Sequence, residues 1–78
     1  MHAYQQEYPH YVRVTNVALF NAIVAVAERK GLDSEIKTSR RYGFYELRTS
    51  NVDLWRELYL YGQMIAQSQD EFFEAGED

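Results

Sequence analysis

Between Val17 and Lys30 the apolar positions recur with the period of a helix. At about 100° per residue, Leu19, Phe20, Ile23, Val24, Val26 and Ala27 fill one broad arc, Asn21 and Glu28 lie just outside it, and Ala18, Ala22 and Ala25 form a narrow small-residue strip. Thr15 or Asn16 stands ahead of this run with a side-chain oxygen able to accept from the free N–H groups of a first turn, and Gly31 follows where a left-handed residue closes a helix. Arg29 and Lys30 lie where the helix dipole favours bases. The pattern predicts a helix over 17–30. Upstream the period changes to two: Val12 and Val14 alternate with Tyr11 and Arg13, which predicts a half-buried strand over 9–15 with Pro9 at its first residue or edge.

Leu32 to Thr49 reads as a hairpin whose register follows charge. Setting Ile36 opposite Leu47 and Thr38 opposite Tyr45 on one face puts Glu35 opposite Arg48 and Lys37 opposite Glu46 on the other. That register leaves Arg40-Arg41-Tyr42-Gly43 as the loop, with Phe44 on the charged, outward face. Ser50-Asn51-Val52-Asp53 resembles a capping box and opens a second helix. Leu54, Leu58, Tyr61, Ile65 and Phe72 define its buried stripe, whereas Trp55, Tyr59, Leu60 and Met64 fall outside it. The polar end from Glu74 to Asp78 carries no strand signal and is expected to fray.

These elements predict an α+β domain of order β-α-β-β-α, with a three-stranded, mainly antiparallel sheet and two helices on one face. In topology this resembles a ferredoxin-like unit lacking its last strand, a likeness of element order and not of motif. Such folds host many roles, so function has to be read from surfaces.

Composition narrows the classes. A chain of 78 residues makes one domain over 1–78, expected to be loosely held at 1–7 and 74–78. Such a chain buries only about 60–65% of its unfolded surface, so its core is small. There is no Cys, hence no disulfide framework, zinc knuckle or thiol nucleophile, and a cytoplasmic location is the default. The apolar run from Val17 to Ala27 is far shorter than the roughly 20 residues of a membrane span. Charge is segregated: residues 1–56 hold eight bases against six acids, and residues 57–78 hold six acids and no base.

Catalytic constellations are missing from the sequence. The glycines at 31, 43, 62 and 76 are too dispersed for a phosphate loop. His2, Glu7 and His10 lack the spacing of a metal site and read as solvated polar residues. Glu35 and Glu46 have basic neighbours in the chosen register and read as ion-paired rather than as an acid/base pair. No enzyme, cofactor or metal is expected.

Two clusters point instead to binding. Arg40, Arg41, Tyr42 and Phe44 combine planar multi-donor cations with aromatics, both enriched at binding hot spots. Trp55, Tyr59, Leu60 and Met64, with Tyr4, Tyr8 and Tyr11, exceed what the interior consumes. They are expected to lie under the N-terminal segment, against another protein or in a homodimer, with Gly62 as a close-approach point. The sequence therefore predicts a non-enzymatic inhibitor or adaptor that masks a surface of a larger macromolecule. In size and acidity it resembles the accessory inhibitors that phages and mobile elements encode. The alternative is a dimeric nucleic-acid-binding regulator using the Arg40-Arg41 loop. Net charge of −4 and the lack of a broad basic face disfavour it. The acidic end reads as solvated, or else as a phosphate mimic.

Overall fold

The computed structural model describes residues 7–78, so the expectations on His2, Tyr4 and most of the N-terminal segment lie outside the described residues. Strand β1 spans His10–Val14, helix α1 Val17–Arg29, strands β2 and β3 Ile36–Arg41 and Phe44–Thr49, helix α2 Val52–Gln69, and strand β4 Phe73–Glu77. All neighbouring strands are antiparallel in the order β2-β3-β1-β4. The order β-α-β-β-α-β completes the ferredoxin-like topology, so the three-stranded sheet expected from sequence is corrected to four.

The fourth strand is the segment expected to fray. Phe73-Glu74-Ala75-Gly76-Glu77 has little intrinsic strand preference, yet it pairs along the whole of β1, and Asp78 N donates to Pro9 O at 2.9 Å. Phe73 and Ala75 pack on the apolar cluster from the helix side. Glu74 faces Arg13 across the ladder on the other side. The helix before it is shorter than the apolar stripe implied. Asp70 closes α2 in the left-handed conformation, and Phe72 therefore leaves the helix face and packs, tilted, against Phe44 with ring centroids 5.4 Å apart.

Both helices begin at asparagines, because a side-chain carbonyl of the right reach can take a first-turn N–H. Asn16 Oδ1 accepts from Leu19 N and Asn51 Oδ1 from Leu54 N, each at 3.0 Å, so the cap of α2 falls one residue later than Ser50. Helix α1 buries Leu19, Phe20, Ile23, Val26 and Ala27. Helix α2 buries Leu54, Leu58, Gly62 and Ala66, with Tyr61 and Ile65 at the margin. These side chains cover Val12, Val14 and Leu47 on one face of the sheet. Gly62 is a close-approach point within the chain and not between copies: a Cβ there would meet Phe73 Cε1 at 2.5 Å and Ile23 Cδ1 at 3.0 Å.

The hairpin register differs from the one chosen on charge. Ile36 faces Thr49, Thr38 faces Leu47, Arg40 faces Tyr45 and Arg41 faces Phe44, which leaves a two-residue turn of Tyr42 and Gly43. Their φ values of 54° and 84° are those of the primed turn whose twist matches paired strands. Cross-strand charge pairs contribute only a few tenths of a kcal/mol each and do not outweigh that turn. Lys37 therefore opposes Arg48, and Glu35 lies in the preceding 3-10 turn, accepting from Asn51 Nδ2 at 2.9 Å.

Candidate functional site

Two surfaces collect the residues singled out by sequence. The first is the face of the sheet turned away from α1 and α2. Across it run the rows Arg41–Phe44, then Ser39–Glu46–Arg13–Glu74, then Lys37–Arg48–Tyr11–Gly76. The centre of this face is an ionic network. Glu46 accepts from Arg13 Nε at 2.7 Å and from Arg48 Nε at 3.1 Å, Arg13 reaches Glu74 at 3.3 Å, and Arg48 reaches Asp78 at 2.8 Å. Tyr11 lies over Gly76, where a Cβ would come within 2.8 Å of its hydroxyl. The guanidinium carbons of Arg13 and Arg48 sit 4.0 and 5.1 Å from its ring centroid.

Arg48 is only 1% exposed on this face, its Nη1 also donating to Tyr8 O at 3.2 Å. Partial burial pulls the Arg13 guanidinium down, but the hydrogen bond and Coulomb attraction to Glu46, with Glu74 adding, hold it above its ordinary value. The acids of the C-terminal end are thus largely occupied. Glu74 and Asp78 bind arginines, Glu71 accepts from Asn16 Nδ2 at 3.1 Å, and Glu77 lies 3.5 Å from His10 Nδ1. The free acidic tail expected from sequence is corrected to an integrated edge of the sheet.

At the hairpin end the same face opens into a shallow hollow of about 340 Å³ lined by Arg13, Arg41, Tyr42, Phe44, Glu46 and Glu74. Tyr42 is 91% exposed at its rim. The predicted quartet is split. Arg41 and Phe44 share the open face, whereas Arg40, one residue away in a strand, points to the helix side with its guanidinium carbon 5.3 Å from the Tyr45 ring centroid.

The second surface is the outer side of α2. Trp55 and Tyr59 are partly consumed by the fold. The Trp55 indole N–H donates to Tyr11 O at 2.9 Å, its ring lies tilted against His10 at 5.1 Å and edge-to-face with Tyr59 at 5.7 Å, and Tyr59 reaches Phe73 at 6.0 Å. Leu60 and Met64 are not consumed: they are 69% and 61% exposed, one turn apart. Trp55, Arg56, Tyr59, Leu60 and Gln63 line a depression of about 360 Å³ beside them. Tyr8 and Tyr11 lie with the open sheet face, where Lys37 Nζ approaches the Tyr8 ring at 5.8 Å, and do not cover α2.

Sequence reasoning found Leu60 and Met64 through their position off the buried stripe. It missed Arg13 and Glu74 as parts of the hairpin-end hollow, because they reach it from β1 and β4, far from the hairpin in the chain, and β4 carries a weak local signal. No helix among the described residues is long and apolar enough to cross a membrane. No family model, no curated protein and no solved structure matches the chain.

Proposed function

We propose that this chain is a non-enzymatic protein-binding module that masks a surface of a larger macromolecule as an inhibitor or adaptor, and that its principal contact is the outer side of α2. The observation that carries this reading is the exposure of Leu60 and Met64 on successive turns beside the depression between Trp55 and Tyr59. Large aliphatic side chains at this spacing leave a strip of apolar surface in water, and a partner that covers it gains about 25 cal/mol per Å² before the costs of association. Trp55 suits an anchor, since its hydrogen bond to Tyr11 and its contact with His10 fix the ring before any partner arrives. Arg41, Tyr42 and Phe44 offer a smaller second contact at the hairpin end. The nucleic-acid reading is weaker, because Arg40 and Arg41 diverge and carboxylates interleave with the bases of the open face.

The test is affinity capture from the host with wild-type chain, with a Leu60→Lys/Met64→Lys variant and with an Arg29→Ala surface control. Proteins retained by wild type and control are expected to be lost by the α2 variant at an unchanged melting temperature. Equal capture by all three removes α2 as the contact.

A further inference from the structure

The two edges of the sheet are unlike in charge and alike in availability. With a two-residue turn, Arg41 and Phe44 form the closing hydrogen-bonded pair, so Arg41, Ser39 and Lys37 direct their backbone groups at β3 while Ile36, Thr38 and Arg40 direct theirs away from the sheet. At the other edge, the bond from Asp78 N to Pro9 O sets the phase of the β1–β4 ladder. Glu74, Gly76 and Asp78 turn toward β1, and Phe73, Ala75 and Glu77 turn outward. Strand β2 carries Lys37, Arg40 and Arg41 and no acid, and the β4 edge carries Glu74, Glu77 and Asp78 and no base. Edge strands are commonly blunted by proline, bulges or charged side chains; neither proline nor bulge interrupts β2 or β4, and their charges, being opposite, repel a like edge and attract the unlike one.

Because β2 runs with β1 and β4 runs against it, a second copy displaced sideways presents its β4 antiparallel to β2, with the helices on the same side. Backbone groups meet only where outward positions face each other, and the register that sets Arg40 opposite Ala75 and Thr38 opposite Glu77 satisfies this. The intervening pairs are then Arg41 with Glu74, Ser39 with Gly76 and Lys37 with Asp78. These are the non-hydrogen-bonded pairs, in which side chains approach most closely. Moving the register by two residues one way leaves no opposite charges facing, and the other way exchanges both pairs for a single one, Arg40 with Glu77. Pairing β2 with β2 opposes bases, and pairing β4 with β4 opposes acids.

Two further features fit the same occupant. Thr38 and Arg40 are exposed although they lie on the helix side, so the helices leave room beyond β2. On the helix side of β4, a hollow of about 210 Å³ includes Phe73, Ala75, Gln67 and Glu71 in its lining, and this register brings Arg40 of the incoming copy opposite Ala75 there. Glu74 and Asp78 keep their own arginines, since each carboxylate has lone pairs for more than one donor.

We propose that β4 of one copy adds to β2 of the next, so that the chain associates head to tail through a continuous antiparallel sheet. Such a contact is heterologous and closes only if the twist brings a ring together; otherwise it extends. It involves the sheet edges and not the principal partner surface on α2; Arg41 alone is shared with the smaller contact at the hairpin end.

Light-scattering mass over a concentration series tests it, at about 0.01 M and about 1 M salt, where the screening length falls from about 30 Å to about 3 Å. The wild-type mass is expected to rise with concentration at low salt, with the apparent dissociation constant at least tenfold weaker at high salt. Thr38→Pro removes an outward N–H that the single chain does not use and leaves charge unchanged, and it is expected to abolish association. Lys37→Glu/Arg41→Glu alters only exposed side chains, is expected to do the same, and carries the test if the proline variant fails to fold by circular dichroism. Leu60→Lys/Met64→Lys is expected to associate like wild type. A wild type that stays at single-chain mass throughout overturns the proposal, as does an assembly that survives both β2 variants or dissolves only when α2 is changed.

Discussion

The two faces of this sheet are built from alternate residues of the same strands, yet different forces hold them. On the helix side Val12, Val14 and Leu47 disappear beneath Ile23, Leu54 and Leu58, and the contribution is apolar area removed from water. On the side turned away from α1 and α2 the contacts are polar. Arg13, Arg48, Glu46, Glu74 and Asp78 form a network around Tyr11, so the strands are joined through charge-assisted hydrogen bonds. Charged groups can thus join the strands across one face of a small sheet, provided that each buried charge has partners.

The sharpest break is on the covered face. Leu58→Ala is expected to cost about 2–5 kcal/mol in denaturant unfolding, with little dependence on salt. A loss below about 1 kcal/mol would mean that α2 does not seat on the sheet as described. Arg48→Met probes the other face by leaving Glu46 and Asp78 without a cation they now bind. It is expected to cost about 1.5–3 kcal/mol, less than the leucine change because Asp78 is partly solvated. The loss is expected to shrink with added salt, and a salt-independent loss would assign Arg48 a packing role instead. Smallest is Gly76→Ala. The new Cβ pushes the Tyr11 hydroxyl aside at a cost of about 1 kcal/mol, read as a fall in melting temperature together with a changed tyrosine environment in near-ultraviolet circular dichroism. No change in that signal would place Tyr11 off the sheet.

Much of the covered face was legible because burial imposes periodicity. The stripe of α1, the alternation of Val12 and Val14, and Leu54 and Leu58 all follow from it. The open face was legible only in pieces. The alternation of the hairpin marks Phe44 as outward, but Arg13, Glu46 and Glu74 converge from three strands, and no local pattern joins them. The hairpin shows which signal to weigh. Tyr42-Gly43 has the conformation of a tight turn, and this outweighed opposite-charge pairing at Lys37 and Glu35. Of the off-stripe residues on α2, Leu60 and Met64 stay in water, while Trp55 and Tyr59 find neighbours that only the folded chain supplies.

Local physics in the sequence determined two capped helices, a first strand, a hairpin and the surplus of apolar side chains on α2, because capping, periodicity and turn chemistry act over a few residues. Tertiary structure decided the rest. Strand β4 exists because the free side of β1 offers a ladder to a segment with poor strand preference, and its carboxylates arrive beside arginines far away in the chain. The same pairing ended α2 at Asp70, turned Phe72 to the open face and gave the sheet one basic and one acidic edge.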